Sequence, residues 1–233
     1  MQDSNKNTMI AVAAVVALVL GGVGGYALKD QMHDEGSNAS VSSNAPTADT
    51  KAADLRVLLN GLQQEHVSLA SAATRAGFDG ARNFDAAAGS LGQNTDDISA
   101  AVGSVYGDEA GAKFKEIWAS HIGFFVDYTV AAKAGDTAGM EKAVTNLNGY
   151  VDAISTFFSG ANPNLPKDAV AQLITEHVGL LKSAVDKYGA GDLEGSYQAE
   201  RDARTQIGTI ANTLSGAIVK QSPDKFSGSA SMQ

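Results

Sequence analysis

Three histidines, His66, His121 and His177, recur 55 and 56 residues apart, and a glycine follows each by fourteen residues: Gly80, Gly135 and Gly191. Around them the wording repeats. Glu65-His66-Val67 matches Glu176-His177-Val178, and Ala134-Gly135-Asp136 matches Ala190-Gly191-Asp192. A recurrence of this kind constrains the chain to copies of one supersecondary unit stacked on one another. The period is longer than that of tetratricopeptide repeats and lacks their signature, which favours a closed bundle over an open solenoid.

Each copy reads as two helices. Leu55, Leu59, Leu62, His66, Leu69 and Ala73 are spaced alternately four and three residues apart, the pattern of a helix with one face turned to a core. The same spacing carries Phe84–Val105, Phe114–Ala132 and Met140–Phe158. It continues through Val170, Leu173, His177, Leu180, Ala184 and Tyr188. A sixth, weaker seam runs through Tyr197, Arg201, Arg204, Gly208, Ala211, Leu214 and Ile218. Breaks fall at residues 77–80, Gly107-Asp108, Gly135-Asp136, Pro163 to Pro166 and Gly191-Asp192, and Pro223 closes the last segment. The expected fold is all-α: a six-helix bundle of three hairpin repeats, each of about 55 residues, after an N-terminal transmembrane helix.

That membrane helix is read from residues 9–28, twenty uncharged residues, about the length that crosses a bilayer. Lys6 precedes the run, and Asp30, Asp34 and Glu35 follow it, a bias that sets the N-terminus in the cytoplasm and the bulk of the chain outside. The competing reading is a signal peptide cleaved near Gly25-Tyr26-Ala27, with secretion of the rest. The organisation is then a cytoplasmic tail at 1–8, the anchor at 9–28, a flexible linker at 29–50, the bundle at 51–222 and a disordered tail at 223–233. The linker is Ser-, Asn-, Ala- and Thr-rich, and its lone His33 reads as solvated. Gly21 and Gly25 are spaced to pack two membrane helices, so a homo-oligomer is one outcome.

A net charge of -9 argues against nucleic acid as a partner, and the absence of cysteine excludes disulfides, thiolate metal sites and covalent c-type haem. No serine–histidine–acid order or glycine-rich phosphate loop is present, so the chain reads as non-enzymatic. No His-x-x-x-His or Glu-x-x-His pair offers a local ligand set. What remains is the trio His66, His121 and His177 at equivalent core positions. If the hairpins pack around a common axis, the imidazoles converge, and neutral imidazole is a natural ligand for copper or zinc. Glu65 and Glu176 are candidate acceptors for the ligating rings, and since side chains adjacent on a helix diverge by about 100° they would serve a neighbouring ring rather than their own. The alternative is that repeats inherit residues by duplication and these histidines only pack, leaving a structural or protein-interaction ectodomain.

The run His-Ile-Gly-Phe-Phe-Val-Asp-Tyr-Thr at residues 121–129 is distinctive. With Glu65-His66-Val67, the residues Gly-Ser-Val-Tyr-Gly at 103–107, Ala-Asn-Pro-Asn-Leu-Pro at 161–166 and Gly-Ala-Ile-Val-Lys-Gln at 216–221, it resembles a mostly uncharacterised family of exported bacterial helical-repeat proteins, some carrying copper-related names. The resemblance covers nearly all of residues 55–223 and implies the helical fold, the exported address and a link to copper. This chain departs from the family in its last helix, where relatives often carry His and Met and it has Gln206, Ile207 and Thr209. That leaves only the three hairpin histidines to hold a metal.

Overall fold

The glycines that punctuate the sequence are where the helices stop. In the computed structural model, which describes residues 50–228, Gly80, Gly135 and Gly191 all take positive φ, at 66°, 67° and 79°. A left-handed residue just past a helix lets the chain reverse while its N–H groups satisfy the last free carbonyls, and glycine does this without a Cβ clash. The Gly135 N–H thus turns back to the carbonyls of Ala131 and Ala132. The aspartate that follows in each Ala-Gly-Asp triplet caps the next helix: Asp136 accepts from the Gly139 N–H and Asp192 from the Gly195 N–H. One triplet therefore ends a helix and starts its successor.

The described residues are all-helical. The order is α1 Lys51–Asp79, α2 Phe84–Tyr106, α3 Asp108–Ala134, α4 Thr137–Ala161, α5 Lys167–Gly189, α6 Leu193–Gln221 and a single turn, α7, Pro223–Phe226. Each long helix packs on its chain neighbours, and α1 packs on α6, which closes the ring. Inside it α1, α3 and α5 also touch one another, so these three line the centre. Phe114, Ile98, Leu147, Ile154 and Ile207 are among the fully enclosed side chains, each contributing about 1.5–3 kcal/mol by burial. Among the described residues the main core runs from Leu55 to Phe226 and draws on all seven helices. At one point α2 and α3 approach backbone to backbone: a Cβ on Gly111 would stand 2.9 Å from the Gly103 Cα and from the Ser99 carbonyl.

Two seams differ from the spacing expected. In α5 the buried set is Val170, Ile174, His177, Leu181, Ala184 and Val185, so Ile174 and Leu181 replace the expected Leu173 and Leu180. Both pairs are apolar, and adjacent leucine and isoleucine leave the choice to tertiary packing. In the first half of α6 the buried residues are Ser196, Ala199, Ala203, Gln206 and Ile207, whereas Tyr197 and Arg201 are exposed. That face is built of small residues, which spacing arguments based on large apolar side chains miss. The charges of α6 have their own role. Glu200 pairs with Arg75 of α1 at 2.8 Å and lies 3.7 Å from Arg204, while the Arg75 guanidinium sits 4.1 Å over the Tyr197 ring. The tail expected from residue 223 begins with the turn of α7, whose Phe226 packs on the core.

The membrane run at residues 9–28, His33 and the linker before Thr50 lie outside the described residues. Among the described residues no helix is long and apolar enough to cross a membrane.

Candidate metal centre

Because α1, α3 and α5 meet at the centre and each carries one of the recurring histidines, His66, His121 and His177 are brought together. All three are buried, at 1%, 4% and 5% exposure. His66 lies between the other two, its ring centroid 5.4 Å from that of His121 and 6.4 Å from that of His177. Aromatic rings enclose the group. Trp118, one turn before His121 on α3, stands 4.9 Å from His66 and 4.7 Å from His121, and Tyr150 of α4 stacks on His121 at 4.5 Å.

Hydrogen bonds fix two of the tautomers. The His121 Nδ1–H donates to the Trp118 carbonyl. Gln206 of α6 donates its Nε2 to the Leu173 carbonyl at 2.7 Å, which leaves its Oε1 to accept from the His177 Nδ1–H at 3.2 Å. Each of these rings keeps its proton on Nδ1 and a free lone pair on Nε2. The His177 Nε2 has no partner. Neither ring nitrogen of His66 makes a hydrogen bond of normal geometry, but the Oδ1 of neighbouring Asn94, itself otherwise unpartnered, stands close enough to favour a proton on that ring. Buried polar atoms without partners cost about 1–3 kcal/mol each, so this cluster is a site of concentrated polar frustration. A ligating histidine usually donates its second ring nitrogen to a carbonyl or amide oxygen, which is the arrangement at His121 and His177.

Burial pushes the imidazoles toward the neutral form. His121 is pushed down to about 3 and His177 down to about 4. His66 lies well below the ordinary histidine range, through burial first and then through its neighbours His121 and His177. Neutral imidazole is the ligating form, so no proton need be displaced at neutral pH.

Two rings sharing one ion stand roughly 5–5.5 Å apart between centroids, given metal–nitrogen bonds of about 2.0–2.1 Å. The His66–His121 separation meets this and the His66–His177 separation is about 1 Å too wide. Consistent with that, among the described residues no group of three or more His, Cys, Asp or Glu side chains is placed to hold a metal ion as the rings stand. Closing the trio on an ion requires His177 or His66 to shift.

Glu65 and Glu176, the acceptors expected from the sequence, are both exposed. The Glu65 carboxylate accepts from the Asn94 amide at 3.0 Å rather than from a ring. Helix geometry is the reason: side chains adjacent in sequence diverge by about 100°. The supporting groups are the Trp118 carbonyl and Gln206. Gln206's one signal in the sequence was a long polar side chain within a seam of small residues.

On one side the cluster opens into a cavity of about 460 Å³ bounded by α1, α2, α3 and α5, with His66 and His121 among its walls. The fold and site together define a class: an all-helical bundle whose central helices enclose a neutral, partly unsatisfied trio of imidazoles beside an apolar cavity. No family model, curated protein or solved structure matches this chain.

Proposed function

We propose that this chain is an exported, membrane-tethered helical module, built as three copies of one hairpin, that binds a single copper or zinc ion through His66, His121 and His177. It acts as a binding protein rather than an enzyme. The observation that carries this reading is the approach of three buried imidazoles at the meeting point of three helices, with the His177 Nε2 left without a partner. An ion there would take up lone pairs that otherwise go unused, once the rings shift to close around it. The copper-related names in the family that the sequence resembles point the same way. The anchor at residues 9–28, with the domain outside, rests on its length and flanking charges. The net charge of -9 disfavours nucleic acid as a partner.

One observation favours a second reading, in which the histidines only pack. The trio is too open to hold an ion as it stands, and His66, Trp118, His121 and Tyr150 form a continuous aromatic cluster.

Trp118 is the chain's single tryptophan and lies against two of the three rings. The helical unit, residues 50–228, contains no other histidine. Copper(II) added to this unit after chelator treatment is expected to quench Trp118 fluorescence stoichiometrically, with the endpoint at one ion per chain. His66→Phe, which keeps an aromatic ring in the gap, is expected to abolish the quenching while the helical circular dichroism stays. Quenching that needs a large excess of copper, or that survives in His66→Phe, would favour the packing reading.

A further inference from the structure

The cavity bounded by α1, α2, α3 and α5 has a volume of about 460 Å³, far more than the water-sized voids of a close-packed interior and within the range of small-molecule sites. Small residues make the room: Ala70, Ala73 and Gly77 of α1 and Ala88 of α2 stand where larger side chains would fill it. Arg82, Asp85 and Val130 of the same wall are exposed, so the mouth lies beside the turn from α1 into α2. Leu91, Phe125 and Leu181 are buried and form the interior.

The interior offers a guest no side-chain hydrogen-bond donor. The Thr74 and Thr129 hydroxyls donate to carbonyls of their own helices, those of Ala70 and Phe125. The His121 Nδ1–H is spent on the Trp118 carbonyl. Ser71 Oγ and both His66 ring nitrogens are closed off from the open space. Whatever part of a guest enters is therefore hydrocarbon, because a polar group there would lose its water and gain nothing in exchange.

The mouth is different. Arg82 stands in it, and a Cβ on Gly80 would lie 3.3 Å from the Lys133 Nζ, which places a second cation at the same rim. Both side chains are exposed, and among the described residues neither takes part in an ion pair. The carboxylates of this end of the bundle have other occupations. Asp79 accepts from the Tyr188 hydroxyl at 2.7 Å, and Asp136 caps α4. Asp85 sits in the first turn of α2, where the positive end of the helix holds it.

An apolar interior beneath two uncommitted cations suits a single-chain anion. We propose that this cavity binds a free carboxylic acid with one unbranched alkyl chain, the chain along the alanine-lined wall and the carboxylate at Arg82 and Lys133. The site uses no histidine nitrogen, so it stands or falls apart from the metal reading.

The test uses the full chain with phosphatidylcholine vesicles, metal-free in chelator. Trp118, the single tryptophan, is buried against His66 and His121 of the cavity wall, so its fluorescence reports a bromine that has entered the cavity rather than one in the lipid. Saturable quenching by 11-bromoundecanoate is expected, reversed by undecanoate. It is expected to be lost in Ala88→Phe, whose ring fills the space, with helical circular dichroism retained. Arg82→Gln combined with Lys133→Gln is expected to weaken 11-bromoundecanoate about fivefold, the worth of two exposed ion pairs, and to leave 11-bromoundecanol unchanged. Comparing each ligand with itself across variants cancels its partition into the vesicles. Absent or non-saturable quenching, or a folded Ala88→Phe quenched as well as wild type, would overturn the site. Equal effects of the double variant on acid and alcohol, including none on either, would overturn the anionic head. Arg82 and Lys133 are exposed, so that comparison decides the matter even if Ala88→Phe does not fold.

Discussion

Lowering the pH should unfold this bundle through its centre. In the unfolded chain the three histidines have ordinary affinity for protons, with pKa values of about 6.5. In the folded chain burial pushes all three down, His121 to about 3 and His177 to about 4. A depressed folded pKa means that the unfolded state binds more protons below about pH 6.5, so stability is full above that pH and falls as the pH drops toward the folded values. At about pH 5 each histidine costs about 2 kcal/mol, and three cost about 6 kcal/mol. That is comparable to the whole net stability of an ordinary domain, about 5–15 kcal/mol. Asp97 works in the opposite direction, since burial and then Glu65 and Asp96 raise it, but its window lies nearer the carboxylate range. Urea unfolding of the helical unit, followed by far-ultraviolet circular dichroism at several pH values between about 7 and 5, should give an uptake approaching three protons. His177→Gln should remove one of them. A flat profile, or a slope unchanged in His177→Gln, would refute the claim that these rings are buried and neutral.

Other perturbations test the surroundings. Gln206→Leu orphans the His177 Nδ1–H and removes the second hydrogen bond of the Leu173 carbonyl, which keeps its helix bond, and urea unfolding should show a loss of about 2 kcal/mol. Gly111→Ala drives a Cβ into the Gly103 and Ser99 backbone and should cost about 1–3 kcal/mol. Gly123→Ala, on the same helix with open space around it, should instead stabilise by about 0.5–1 kcal/mol, and thermal melts of the two variants should move in opposite directions. Because the rings are already neutral, metal affinity should change little between about pH 7 and pH 5.5 while the unit stays folded, whereas an exposed histidine site loses affinity below about 6.5.

The sequence was readable where one residue type had one physical reason to be there. Gly135 and Gly191, each followed by an aspartate and set between two apolar seams, read as a left-handed stop followed by a cap, and two helix boundaries follow from them. The seams of α1 to α4 were legible because Phe114, Trp118, Leu147 and Ile154 are large and alternate cleanly with polar neighbours. The seam of α6 was not, because its core face is Ser196, Ala199 and Ala203, residues as common on surfaces as inside. The three histidines could be picked out by their recurrence. Their convergence depends on α1, α3 and α5 all turning inward, a tertiary fact that no local spacing contains. Gln206 and the Trp118 carbonyl were hidden for the same reason: a glutamine 29 residues from His177 and a main-chain oxygen carry no sequence signature. The cavity was invisible too, since alanines that leave a space look the same in sequence as alanines that fill one.

If the three imidazoles share one ion, calorimetric titration of the chelator-treated helical unit with zinc(II) and copper(II) at neutral pH should show one ion bound per chain. Its dissociation constant should lie below about 1 μM, and binding should be lost when His121 becomes Ala in a variant that keeps its helical circular dichroism. Millimolar or non-stoichiometric binding, or full affinity in His121→Ala, would contradict it and leave the histidines as packing residues.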